Sequence, residues 1–170
     1  LTYDIVIKPP PPETIEELSY VIDQYYNRFN SEELQPILDE SMETLFNATL
    51  TTAGYPSQIE NIRQIKQFPL DTVKRLKEHF KRPRPGEIAN LFGGRWVGDG
   101  AQMKTDDTFA YPSGHTAQAY YIAKKLSENY PELSNRFFQI AEMVAESRID
   151  RGVHFPSDID AGIELAQKIK

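Results

Sequence analysis

The chain has 170 residues, 39% hydrophobic and 26% charged, and no cysteine, which allows one domain with a hydrophobic core and excludes a disulfide scaffold or a thiolate metal site. Its formal net charge of −6 argues against a general nucleic-acid-binding protein, because affinity for the phosphate backbone requires an excess of lysine and arginine. The longest apolar run, Ala119 to Ala123, is far shorter than the ~18 residues of a membrane span, so none is predicted.

The first twelve residues are predicted to form an extended arm, because four successive prolines fix the backbone and remove hydrogen-bond donors. Residues 13–170 are predicted to form a single helical domain. Apolar residues recur there at a spacing of three and four, which predicts helices over Glu13 to Phe29, Ser31 to Ala53, Ser57 to Gln67, Pro69 to Lys81, Gly86 to Phe92, Ser113 to Asn129, Pro131 to Arg148 and Ser157 to Lys170. No alternating strand pattern competes, so the predicted class is an all-α helical bundle with its functional site at helix ends and loops.

The segment Lys74 to Arg84 holds six lysine and arginine residues in an otherwise acidic protein. Arg82 and Arg84 each precede a proline, which favours an extended backbone from which a guanidinium group can be directed at a ligand. Lys77 lies just upstream, in the last predicted turn of a helix. The segment is compatible with an anion-binding site or with a solvated helix face.

The second segment, YPSGHT, places Ser113, Gly114 and His115 at the start of a predicted helix. Helix N-termini bind anions through unpaired N–H groups, and Gly114 would allow close approach of a ligand to the backbone. His115 would lie beside that anion, where it could donate or accept a proton. The alternative is that Ser113 is only an N-cap and His115 a surface residue. A serine nucleophile is not favoured, because Tyr111 replaces the first glycine of G-x-S-x-G and no strand precedes it.

The third segment, SRIDRGVHFPSD, contains Arg148, His154 and Asp158. Arg148 continues an apolar helical stripe and should point into the core, where it needs a carboxylate or a bound anion as partner. Asp158 follows His154 by four residues, so its carboxylate could hold one imidazole nitrogen and leave the other facing a substrate. The alternative is a structural Arg–Asp ion pair with His154 at a helix start.

Metal sites are not favoured by the sequence. The separated histidines and carboxylates form no HExxH-like pattern. A glycine-rich segment with no predicted helix lies between Phe92 and Tyr111. Its acidic residues Asp99, Asp106 and Asp107 do not have the spacing of a calcium loop, and we interpret them as solvated.

All three segments suit a tetrahedral oxyanion such as phosphate. Together they resemble the signature K-x6-R-P, P-S-G-H and S-R-x5-H-x3-D of the superfamily that contains type 2 phosphatidic acid phosphatases, bacterial class A nonspecific acid phosphatases and vanadium haloperoxidases. The resemblance covers about half of the chain, Lys77 to roughly Ala161, and fills every signature position: Lys77, Arg84, Pro85, Pro112, Ser113, Gly114, His115, Ser147, Arg148, His154 and Asp158. Arg75 and Arg82 repeat the first spacing but with arginine in place of lysine, so Lys77 and Arg84 are preferred.

The resemblance implies a metal-independent phosphomonoester hydrolase that forms a phosphohistidine. His154 would attack phosphorus, Asp158 would orient His154, and His115 would protonate the leaving alcohol and later activate water. The phosphate oxygens would be bound by Lys77, Arg84, Ser113, Gly114 and Arg148. No cofactor is implied, and vanadate would act as a phosphate mimic and inhibitor.

Within that superfamily the chain is most similar to the class A acid phosphatases, because lipid-phosphate phosphatases span membranes several times and haloperoxidases are much longer. The resemblance implies a small phosphorylated substrate and favours a soluble periplasmic or secreted protein; a homo-oligomer is compatible with it. Phe109-Ala110 departs from the Gly-Ser that those enzymes carry before YPSGHT. Two alternative functions are a vanadate-dependent haloperoxidase and a non-catalytic protein that binds phosphate-bearing ligands.

Overall fold

A computed structural model of the chain describes residues 5–28, 34–99 and 108–170. Within these ranges the chain forms α-helices and no β-strand, which confirms the all-α prediction. The helices are α1 Ile15–Tyr26, α2 Gln35–Glu40, α3 Met42–Thr52, α4 Ile59–Gln67, α5 Leu70–Phe80, α6 Pro85–Leu91, α7 Gly114–Asn129, α8 Ser134–Asp150 and α9 Pro156–Lys168, with a short 3-10 helix at Pro131–Leu133. None of the helices in these ranges is both long and apolar enough to cross a bilayer.

The largest departure from the predicted helices is a break at Ser41, whose backbone (φ −138°, ψ 37°) separates α2 from α3. The sequence predicts a single helix there, from the N-cap Ser31 towards Ala53. Leu38, Met42 and Phe46 are buried on either side of the break. Ser31, the predicted N-cap of that helix, lies outside the described residues. Pro69 was expected at the first helical position of α5 and is instead its N-cap, one residue earlier.

Helix α7 is central to the bundle and packs against α8, α9, α4 and α5. Its contact with α9 is unusually close at Gly162, where a Cβ atom would lie 2.8 Å from the carbonyl oxygen of Ser113 and 2.9 Å from Cβ of Thr116. The backbone N–H of Ser113 also donates to the carbonyl oxygen of Asp158 at 3.0 Å. The start of α7 is therefore fixed directly against the first turns of α9.

Helix α1 packs beside the turn between α8 and α9. Leu18 and Val21 of α1 form a buried cluster with Ile88 and Ala89 of α6 and with Phe155. Burial of such apolar side chains contributes about 1.5–3 kcal/mol for each large residue. The N-terminal helix, which none of the three sequence segments includes, is thus held next to the segment that carries His154.

The described part of the N-terminal arm, residues 5–12, lies along α9. Ile7 is buried in a cluster with residues of α5, α7 and α9. The backbone N–H of Lys8 donates to Oε1 of Glu164 at 3.1 Å, and Tyr111 donates its hydroxyl hydrogen to the Lys8 carbonyl oxygen. These contacts fasten the arm to the bundle.

Gly152 shapes the turn that precedes His154. It has a left-handed φ of 75°, and a Cβ atom there would lie 2.5 Å from Cη2 of Trp96. We expect Gly152→Ala to lower the free energy of unfolding by about 1–3 kcal/mol, because it adds both backbone strain and a clash with the indole ring. Urea unfolding followed by circular dichroism measures this loss.

Gly54→Ala is the matched control for that substitution. Gly54 has a φ of 93°, but nothing lies within 4 Å of the position that its Cβ would occupy. The control therefore carries the backbone strain alone, and its loss of stability should be the smaller one. Equal losses in the two variants would contradict a role for the Trp96 contact.

Candidate active site

The first and third sequence segments meet at Arg84. Its backbone is extended (φ −72°, ψ 159°), as predicted for a residue before proline. Arg84 Nη1 donates to His154 Nε2 at 2.9 Å and to the carbonyl oxygen of Val153 at 3.0 Å. Its Nε donates to the carbonyl oxygen of Thr108 at 3.0 Å, and Lys77 Nζ donates to Oγ1 of Thr108 at 3.1 Å. Thr108 thus accepts hydrogen bonds from two of the three predicted phosphate-binding cations, Lys77 and Arg84.

His154 is buried between a cation and a carboxylate. Its Nδ1 lies 3.1 Å from Oδ2 of Asp158, and Arg84 donates to its other ring nitrogen. Because a guanidinium group has no acceptor and a carboxylate has no donor, the ring carries its proton on Nδ1 and a lone pair on Nε2. Burial, with the charges of Arg84 and Lys77, holds the pKa of His154 well below its usual range. The ring is therefore neutral near neutral pH.

Asp39 of α2 joins two other predicted site residues. Arg148 Nη1 donates to Oδ1 of Asp39 at 2.9 Å, while His115 Nε2 donates to the carbonyl oxygen of Asp39 at 2.7 Å. His115 Nε2 also lies 3.3 Å from Oδ1 of Asp39. Burial raises the pKa of Asp39, but this side-chain contact with His115 and the charge of Arg148 outweigh burial and hold that pKa far below its usual range. Burial, and then the charge of Arg148, lower the pKa of His115. Arg148 has the carboxylate partner that its core position requires.

Ser113 and Gly114 form the first turn of α7. The Ser113 hydroxyl accepts from the backbone N–H of Thr116 at 3.3 Å and is fully buried, so this serine is an N-cap. A Cβ atom at Gly114 would lie 3.3 Å from Cγ1 of Val73 and 3.9 Å from Nζ of Lys77. The missing side chain therefore lets the helix start approach a lysine closely.

A cavity of about 510 Å³ is lined by Lys77, Thr108, Gly114 and His115. Arg84, Arg148 and His154 are buried and are not among the residues that line it. Leu70 and Val73 of α5 supply apolar wall on the same side. A polar corner with an apolar wall suits a small ligand that has one anionic end.

Sequence reasoning missed Asp39 and Thr108. Asp39 lies 76 residues from His115 and 109 residues from Arg148 along the chain, so no local spacing reveals the contacts. The predicted core position of Arg148 did indicate that a carboxylate or a bound anion must lie beside it, but the sequence could not identify which residue. Thr108 immediately precedes the departure Phe109-Ala110 and carried no motif.

The interpretation of Asp99 as a solvated loop residue is wrong. Its side chain is 14% exposed and lies 3.0 Å from Nη1 of Arg28, and the hydroxyl of Tyr25 donates to it at 3.2 Å. Asp106 and Asp107 lie outside the described residues. In the described ranges, no group of three or more His, Cys, Asp and Glu side chains is placed to hold a metal ion.

Residues 45–166 match the model of the PAP2 superfamily. A non-specific acid phosphatase of Providencia stuartii is 26% identical over 173 residues, which cover 92% of this chain and 68% of that protein. A non-specific acid phosphatase of Salmonella typhimurium is 34% identical over 86 residues, 51% of this chain and 33% of that protein. The chain thus spans between one third and about two thirds of these relatives.

Two solved structures share the fold. A bacterial vanadium-dependent iodoperoxidase superposes with a TM-score of 0.68 at 18% identity, covering 94% of this chain and 49% of that one. A transmembrane PAP2-type phosphatidylglycerolphosphate phosphatase from Bacillus subtilis superposes with a TM-score of 0.53 at 20% identity, covering 89% of this chain and 79% of that one.

Proposed function

The chain belongs to the PAP2 superfamily, and from that premise we propose that it is a phosphomonoester hydrolase of the acid phosphatase kind, working through a phosphohistidine. The observation that carries the proposal is the environment of His154. The ring is neutral, its proton is held by Asp158, and its Nε2 lone pair faces the Arg84 guanidinium. A nucleophile held in this way is ready to attack an anion that the same cation binds.

The charged and polar groups around the His154 ring bind the phosphate in this proposal. Lys77, Arg84 and Arg148 supply positive charge, and the Gly114 N–H supplies a hydrogen bond. The Ser113 hydroxyl donates to Oγ1 of Thr116 at 2.9 Å in the structure and would turn to a phosphate oxygen when substrate binds. Arg84 would turn from Nε2 to the phosphate oxygens when substrate enters. Together the three cations would stabilise the charge that builds up on the equatorial oxygens in the transition state, which is the electrostatic effect that a metal ion provides in other enzymes. The proposed reaction therefore uses no metal or other cofactor.

In the first chemical step the Nε2 lone pair of His154 forms the P–N bond while the P–O bond to the leaving alcohol breaks. Asp158 accepts the Nδ1–H bond and stabilises the positive charge that the ring acquires. His115 gives its proton to the leaving oxygen. The negative charge of a bound phosphate raises the pKa of His115, so the ring takes up that proton when substrate binds. Because Nε2 of His115 donates to Asp39, Nδ1 is the nitrogen assigned to this transfer.

In the second step His115, now neutral, takes a proton from water as the water oxygen attacks phosphorus. The P–N bond breaks, its electron pair returns to Nε2 of His154, and inorganic phosphate leaves. One residue thus acts first as general acid and then as general base. The alcohol of the substrate would occupy the cavity beside His115, against Leu70 and Val73.

The test is an assay of phosphate release from p-nitrophenyl phosphate between acid and neutral pH, followed by lipid, nucleotide and sugar phosphates. We expect turnover that orthovanadate inhibits, because vanadate mimics the trigonal-bipyramidal transition state. A folded protein that released no phosphate from any of these substrates would contradict the proposal.

The two alternatives give different results in parallel assays. A haloperoxidase would halogenate monochlorodimedone in the presence of vanadate and peroxide and would leave phosphate esters intact. A non-catalytic binding protein would retain phosphate affinity after loss of both His115 and His154, and would hydrolyse nothing before or after that loss.

A further inference from the structure

Arg82 approaches the proposed catalytic pair from the side opposite to His154. It is 2% exposed, although it does not belong to the phosphatase signature. Its Nη1 donates to Oδ1 of Asp158 at 2.8 Å and to Oγ of Ser157 at 2.6 Å. The other carboxylate oxygen of Asp158, Oδ2, accepts from His154 and from the backbone N–H of Phe155. Each oxygen of the carboxylate therefore has its own donors.

Helix α1 and the residue Glu13 just before it hold Arg82 in that position. Glu17 Oε2 lies 3.3 Å from Nη2 of Arg82, and Glu13 Oε1 lies 3.4 Å from its Nε. Glu17 also accepts from the backbone N–H of Ser157 at 2.8 Å, which fastens α1 to the first turn of α9. The guanidinium group stacks 4.4 Å from the centre of the Phe155 ring. Its position is thus fixed on three sides.

We propose that Arg82 is a positioning residue, which keeps the Asp158 carboxylate ionised and turned towards Nδ1 of His154. The expected effect of Arg82 on turnover rests on the proposed function, whereas its effect on the Asp158 carboxylate does not. Arg82 does not touch substrate in this arrangement, because its guanidinium faces α1 and the far side of Asp158. It acts through Asp158, whereas Arg84 contacts the nucleophile itself.

The electrostatics of Asp158 give the direction of the expected effect. Burial raises the pKa of Asp158, and the charge of Arg82 is the strongest of the influences that lower it; with Arg82 in place the pKa is about 7. The other charged or titratable groups that face this pair are His154, Arg84, Tyr111, Glu13 and Glu17. Without Arg82, the effect of burial on the pKa of Asp158 is no longer opposed by the strongest of the charges that lower it. Asp158 then binds a proton at higher pH, and the carboxylate that orients His154 is lost over a wider acidic range.

The experiment compares the pH dependence of kcat/KM in the wild type and in Arg82→Met. We expect the acidic limb of the profile to move between about one and three pH units higher in Arg82→Met. Arg82→Lys keeps the charge and should lie between the two. On the alkaline side of the shifted limb, kcat should fall more than KM rises, because a positioning residue does not bind substrate. Arg136→Met, at an exposed arginine of α8, should leave the profile unchanged.

A second variant and a second measurement keep the test decisive. If Arg82→Met does not fold, Arg82→Gln retains a donor for Asp158 without the charge and should show the same displacement. Titration of the Asp158 carboxyl carbon by 13C NMR, on protein without substrate, should show the same upward displacement of the midpoint. Wild-type protein that hydrolyses no phosphate ester overturns the proposed function alone. Midpoints that coincide in wild type and Arg82 variants overturn the role of Arg82.

Discussion

Replacement of His154 by glutamine should lower kcat/KM for p-nitrophenyl phosphate by about four to six orders of magnitude, the usual cost of removing a catalytic nucleophile. Glutamine retains a polar group of similar reach but cannot form the P–N bond. The comparison requires initial rates at saturating and limiting substrate, and circular dichroism to establish that the variant is folded.

The other two histidines provide the matched comparisons. His79→Gln changes an exposed histidine of α5 and should retain full activity. His115→Ala should impair substrates with poor leaving groups most. Quenching in alkaline denaturant, in which a P–N bond is stable, should trap a phosphorylated protein, because attack by His154 precedes water activation. Wild-type rates in either His154→Gln or His115→Ala would contradict the roles assigned to those residues.

Replacement of Asp39 by leucine should cost about 3–5 kcal/mol of unfolding free energy, because it removes the carboxylate beside a fully buried arginine. Urea unfolding of the folded fraction measures the loss. The exposed pair formed by Glu60 and Arg63 is the control, and Glu60→Gln should cost less than about 1 kcal/mol.

A double variant separates stability from catalysis at the same site. Asp39→Leu combined with Arg148→Met removes both buried charges, and it should recover much of the stability that Asp39→Leu alone loses. The double variant should be inactive, since Arg148 is a proposed phosphate ligand and Asp39 orients His115. A double variant less stable than Asp39→Leu would show that Arg148 stabilises the fold through partners other than Asp39.

Local features of the site could be predicted from the sequence, because they depend on spacing within one element. Ser113 is an N-cap, and Asp158, in the first turn of α9, contacts His154, which lies two residues before that helix. Contacts between distant segments could not be predicted. Asp39 lies in α2, which ends at Ser41, and no local spacing connects it to Arg148, 109 residues away.

Arg82 illustrates the same limit in a different way. Its position before a proline correctly suggested a directed guanidinium group, but two arginines in the same segment shared that property. Only the tertiary packing distinguishes them, since Arg84 reaches Nε2 of His154 and Arg82 reaches Oδ1 of Asp158. The target of a buried charge is decided by elements far away in the chain, here α1 and α9.

The cavity beside His115 divides the protein into parts with different tolerance for change. His115 and His154 lie near helix ends, and close backbone contacts such as that between Gly162 and Ser113 hold these helix ends together. Leu70 lines the cavity from α5 and takes no part in the hydrogen bonds of His154 or His115. Substitutions at Leu70 can therefore reshape the space for the alcohol while the reacting groups keep their geometry. The same reaction could therefore be directed to new substrates by changing a residue of the cavity wall while the catalytic residues stay unchanged. Leu70 is the first position to randomise in a search for altered substrate selectivity.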